Sequence, residues 1–260
     1  MRAIPVLFLL ALSLGLAQAD DWSKRFAVSG KPDLRVESND SAVILRAGPA
    51  GAIDARLTTR GWRIGPGGVR VDARQTGSNV VIDIRVPNDY LGVGDSSCRL
   101  EVTVPAELRA EIRTGDGSIS AESLKGDFVL NTGDGAIDVQ SLDGALAART
   151  GYGRLNVRGR FDRLSLRTND GSITAVFNSG SKMAGPWRLE TGDGSITVRL
   201  AEDFAADIDA RTGDGGISIG VPATATGFKA KENAFRGRLG GGGLPLRIRT
   251  GDGSIRLERL

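Results

Sequence analysis

Six aspartates return at one position of a recurring hexapeptide, and a carboxylate that repeats is the first place to look for chemistry. The text is Thr-Gly-Asp-Gly-Ser-Ile or a close variant, seven times over. Its aspartates are Asp116, Asp134, Asp170, Asp193, Asp214 and Asp252, with Tyr152 in their place in the third copy. Two carboxylates held ~5–9 Å apart serve glycoside hydrolysis, and a shell of about 6–8 oxygens holds calcium. A second column runs beside the first. The residue before each threonine is Arg113, Asn131, Arg149, Arg167, Glu190, Arg211 or Arg249. Arg113, Arg149, Arg167, Arg211 and Arg249 are the candidate binding face, suited to an acidic polymer.

Composition removes most catalytic readings. There is no histidine and a single cysteine, Cys98. Ser-His-Asp and Cys-His catalysis are therefore excluded, as are zinc sites. Calcium is disfavoured because each corner brings one carboxylate. Repetition also argues against an enzyme, since chemistry makes one coil unlike the rest. Tyr152 is such an exception and reads as a packing variation. No catalytic, cofactor-binding or metal-ligating residue is assigned. Cys98, beside Arg99 and Leu100, reads as a small buried hydrophobe. A net charge of +3 is too small to imply nucleic acid.

The elements that hold these columns are legible in the register. The anchoring threonines are Thr114, Thr132, Thr150, Thr168, Thr191, Thr212 and Thr250, and the first four are 18 residues apart. Positions two and four before the threonine, and five and seven after it, are apolar in every copy, as at Phe128, Leu130, Ile137 and Val139. That alternation marks two strands per repeat, each with one buried face. A fixed period of this length indicates a β-solenoid, expected to be right-handed. Corner glycines are expected to supply positive φ. Stacked at ~4.8 Å, neighbouring aspartates would repel by about 0.9 kcal/mol in water. Asx-turn hydrogen bonds, or the arginine column, are expected to offset this.

The fold class is therefore all-β, an elongated solenoid with about 18 residues per coil. Its domain organisation reads as a leader over 1–19 and one solenoid domain over 20–260, irregular over 20–113. Insertions fall near 178–185 and 222–243, the second expected to be a mobile loop carrying Lys229, Lys231, Arg236 and Arg238. The leader has a basic start, an apolar run from Ile4 to Leu16 and Ala17-Gln18-Ala19, the layout of a secretory signal peptide. The last strand, Ile255-Arg256-Leu257, is expected to be an open edge available for pairing.

The repeated Thr-Gly-Asp-Gly-Ser-Ile text after Val104-Pro105-Ala106-Glu107-Leu108 resembles the bacterial "putative adhesin" family of unknown function, built on the DUF4097 domain. The resemblance spans roughly Phe26 to Leu260 and implies an exported β-solenoid without assigning catalytic residues. The function read at this stage is a structural or adhesion-like module of the cell envelope or surface, periplasmic or secreted. It needs no cofactor and would contact an acidic envelope polymer or another envelope protein. The alternatives are a carbohydrate-active enzyme on a β-helix scaffold and a calcium-stabilised secreted β-roll.

Overall fold

The computed structural model describes residues 19–87, 96–227 and 233–260. The expected leader, up to Gln18, and Lys229 and Lys231 lie outside them. The N-terminal strands are β1 (Ala19–Ala27), β2 (Asp33–Ser38), β3 (Ala42–Gly48), β4 (Ala52–Arg60), β5 (Arg70–Thr76), β6 (Asn79–Arg85) and β7 (Ser97–Pro105). The regular repeats give β8 (Glu107–Arg113), β9 (Ile119–Glu122), β10 (Lys125–Asn131), β11 (Ile137–Arg149), β12 (Leu155–Arg167) and β13 (Ile173–Phe177). Next come β14 (Trp187–Glu190), β15 (Ile196–Leu200), β16 (Ala206–Thr212) and β17 (Ile217–Ile219). The last are β18 (Ala223–Gly227), β19 (Ala234–Leu239), β20 (Pro245–Thr250) and β21 (Ile255–Arg259).

These strands form two ladders joined at the corners. Strands entering the Thr-Gly-Asp-Gly corner stack as β6-β2-β8-β10-β11-β12-β14-β20-β16, all parallel. Strands leaving it stack as β7-β3-β9-β11-β12-β13-β15-β21-β17, again parallel. Each coil lays like residues on like: Ile119 pairs with Ile137, and Ile137 with Leu155. The alternating apolar residues meet between the ladders in one core running from Phe26 to Leu257. Where the coil widens at the 178–185 insertion, Trp187 fills the space. Its ring meets Phe177 edge-on at 4.9 Å and also contacts Phe161 and Phe204.

The ends depart from the expected order. The coil of β20 and β21, last in the chain, lies between the Thr191 and Thr212 coils. The expected open C-terminal edge is thus an interior strand, paired on both sides, with Ile255 and Leu257 fully buried. The N-terminal end mirrors this, because β2 and β3 slip between the β6–β7 coil and the Thr114 coil. Phe26 lies on β1, which pairs antiparallel with β4, and β4 pairs antiparallel with β7. The expected mobile loop is, in its described part, a hairpin of β18 and β19 that covers the outer edge of β16. The 178–185 segment is pinned too: Asp203 accepts hydrogen bonds from the Ser179 hydroxyl and the Gly180 amide, each at 2.8 Å.

Candidate functional site

The repeated corner is built by backbone groups and one side chain. Each threonine is buried, Thr150 to 1% exposure, and its hydroxyl reaches across to the preceding coil in the stack. Thr132 donates to the Gly117 carbonyl at 2.8 Å, Thr150 to Gly135 at 2.9 Å and Thr168 to Gly153 at 3.1 Å. The same oxygen accepts from its own turn, from the Gly135 amide at 3.2 Å in the case of Thr132. Thr250 donates to Gly194 and Thr212 to Gly253, each at 2.7 Å. This places the Thr250 coil between the other two. Buried backbone groups at a tight corner need partners, and threonine supplies both a donor and an acceptor.

The corner glycines have a different cause from the one expected. Their φ values are not positive, unlike those of Gly126 and Gly144 at the opposite corner, at 127° and 131°. Instead, a Cβ at Gly135 would come under 3.0 Å from the Gly117 carbonyl oxygen, and Gly117, Gly153, Gly171, Gly194 and Gly253 are equally confined. Close approach of stacked backbones requires glycine here.

The aspartates point to solvent. All six are exposed, and among the described residues none accepts a hydrogen bond from its own turn or pairs with an arginine. Both expected forms of compensation are therefore absent, and solvent screening carries the load. The stack adds a seventh member, Asp40, in the corner Ser38-Asn39-Asp40-Ser41, whose Ser41 carbonyl accepts from Thr114 at 3.1 Å. Burial and, after it, the charge of Asp116 push the Asp40 carboxyl above its usual range. The corner itself is legible in the sequence, where Leu34 to Ile44 reads as strand, corner and strand. The place of Asp40 in the aspartate column is not, because this corner lacks the Thr-Gly-Asp-Gly text on which the repeats align.

The arginine column divides. Arg113 is paired with Glu37 at 3.7 Å and with Glu111. Arg249 holds Asp209 at 2.6 Å, and Arg211 reaches the same carboxylate at 3.3 Å. Arg149 and Arg167, register partners on β11 and β12, are exposed. Neither forms an ion pair among the described residues. The five do not make a continuous free face. Tyr152 is not a packing residue: it is 66% exposed at its corner. Cys98 is buried as expected, and burial raises its thiol pKa while its sulfur accepts from the Ser41 hydroxyl at 3.2 Å.

Two further features bear on chemistry. Among the described residues no three His, Cys, Asp or Glu side chains gather as a metal site. A cleft of about 1190 Å³ opens at the N-terminal end, lined by Trp22, Ile64, Val71, Val86, Arg70 and Arg85.

With stacked Thr-Gly-Asp-Gly corners in place, the family model described as Toastrack DUF4097 matches residues 70–258. The chain belongs to the DUF4097 family. Among solved structures, this DUF4097 fold is similar to three others. One is a protein of Bacteroides fragilis NCTC 9343 described as a putative adhesin, 12% identical, covering 91% of this chain and 96% of that one, with a TM-score of 0.44. A putative cell adhesion protein of Clostridium sporogenes ATCC 15579 is 13% identical over 92% and 100%, with a TM-score of 0.41. A putative lipid binding protein of Parabacteroides distasonis ATCC 8503 is 14% identical over 94% and 98%, with a TM-score of 0.41. No curated protein matches the chain.

Proposed function

We propose that this DUF4097 chain is an exported, non-catalytic, adhesion-like module of the bacterial cell envelope or surface, one that binds without transforming its partner. The observation that carries this reading is where the repeated motif uses its polar groups. Threonine hydroxyls and glycine carbonyls bond to one another between coils, so the motif's chemistry serves the stack. The repeated carboxylates are exposed one to a corner along the stack and do not converge on a reacting bond. A catalytic site needs convergent groups at a concave surface.

Fractionation tests the proposal. The chain made with its leader is expected outside the cytoplasm, and the purified 20–260 protein is expected to be retained by envelope preparations and released unchanged. A cytoplasmic protein, or one that cleaves envelope polysaccharide at catalytic turnover, overturns the reading.

A further inference from the structure

One coil differs from all the others on its surface. From Gly144 to Phe161 the chain has no acidic residue and carries Arg149, Arg154, Arg158 and Arg160. Arg160 is tied to Asp143. Arg149 and Arg154 flank the corner on either side of Tyr152, and Arg167 lies in register with Arg149 on the next coil. All four are exposed, and the three arginines form no ion pair among the described residues. The Tyr152 amide donates to Gly133, and the Asp170 amide to Gly151, so the tyrosine lies in the acidic column between Asp134 and Asp170, one coil rise (~4.8 Å) from each.

An exposed aromatic ring, unpaired arginines and two flanking carboxylates suit one kind of ligand. The ring offers an apolar face with a polar tip. Guanidinium groups hold carboxylates through paired, charge-assisted hydrogen bonds. Carboxylates on either side accept from hydroxyls. We propose that the corner formed by Tyr152, Arg149, Arg154 and Arg167 binds a carboxylated sugar residue of a glycan, an inference resting on the adhesion-like reading above. The sugar's C–H face lies on Tyr152, its carboxylate meets the arginines, and its hydroxyls reach Asp134 and Asp170. A nucleic-acid strand needs successive stacking platforms and a continuous basic track, whereas here one tyrosine stands between Asp134 and Asp170 in the corner column. Tyr152 is also the only large apolar side chain exposed in the corner column among the described residues, which is too little for membrane insertion.

Titration of the 20–260 protein with oligogalacturonate and with its methyl ester tests the site, since esterification removes the carboxylate charge and adds one methyl group per sugar. Three variants use residues that other coils carry at the same positions, Tyr152→Asp, Arg149→Asn and Arg154→Ser, and Arg113→Asn serves as the ion-paired control. The acid oligomer is expected to bind and the ester to bind weakly or not at all. Tyr152→Asp and Arg154→Ser should each weaken binding about tenfold with an unchanged melting temperature, and Arg113→Asn should leave it alone. No binding of the acid oligomer, equal binding of the ester, or wild-type affinity in Tyr152→Asp overturns the proposal. Envelope retention measured on the same proteins separates the two readings. If Tyr152→Asp is retained as well as the wild type, the corner site falls while the adhesion-like function stands.

Discussion

At five of the seven repeated corners, those of Thr132, Thr150, Thr168, Thr191 and Thr250, the threonine hydroxyl both donates to the neighbouring coil and accepts from its own turn, which its isosteres cannot do. Thr150→Val keeps the shape but strands the Gly135 carbonyl and the Gly153 amide, which Thr150 satisfies at 2.9 and 3.1 Å. It should cost about 1–3 kcal/mol in urea unfolding, with Thr150→Ser recovering most of the loss. A Val variant as stable as the wild type would remove the hydroxyl's structural role. Glycine acts by absence. Gly135→Ala drives a Cβ into the Gly117 carbonyl and should destabilise by about 1–3 kcal/mol or more. Gly185→Ala, with open space around it, should leave the melting temperature unmoved. The sequence displayed both residue types and their spacing. It could not show that the glycines answer to the next coil, because the distance between coils is not a local quantity.

Between elements, Asp209 on β16 ties three strands together. It accepts from Arg249 on β20 at 2.6 Å, and Arg211 and Arg236 approach its other oxygen at 3.3 and 3.6 Å. That second oxygen is buried and makes no hydrogen bond, so both arginines act on it by charge alone. Burial pushes the carboxyl's pKa up, but the Arg249 hydrogen bond and the charges of Arg249, Arg211 and Arg236 outweigh it and hold it below its usual range. An acid lowered in the folded state stabilises fully above its unfolded pKa of about 4 and loses that contribution as pH falls through the folded value. Asp209→Asn should therefore cost about 1–3 kcal/mol at pH 7. Melts from pH 7 to pH 3 should show a smaller acid-induced drop in the variant than in the wild type. Parallel pH profiles would show that Asp209 contributes nothing as an anion.

Across the whole molecule, the interleaved ends make the stack something other than a chain of independent coils. In a sequential solenoid each repeat contacts its chain neighbours, and the last can be trimmed without harm to the rest. Here, removing residues 244–260 would take away a coil from between the Thr191 and Thr212 coils. Hydrogen exchange should then show loss of protection over β16, β17 and β19, while β8 to β13 keep theirs. Retained protection in β16 would mean that the Thr212 coil docks without its partner. The N-terminal edges are guarded differently: β1 and β5 carry Asp20, Asp21, Lys24, Arg25, Arg70, Asp72 and Arg74, charges that discourage pairing with another chain.

What the sequence by itself determined is what repeats locally: the all-β class, the two strands per coil, their buried faces from Phe128 to Val139, and the corner positions. Side-chain alternation and turn composition are properties of a few consecutive residues, so a single chain displays them. The tertiary structure decided the order of the coils, the membership of Asp40 in the acidic column, and which arginines remain free. Those depend on which strands lie side by side, and residues as distant as Thr250 and Gly194 become neighbours only once the last coil has entered its gap. Tyr152 belongs to both levels. Its departure from the repeat was visible in the text, but its exposure, beside arginines left without partners, was settled by the stack.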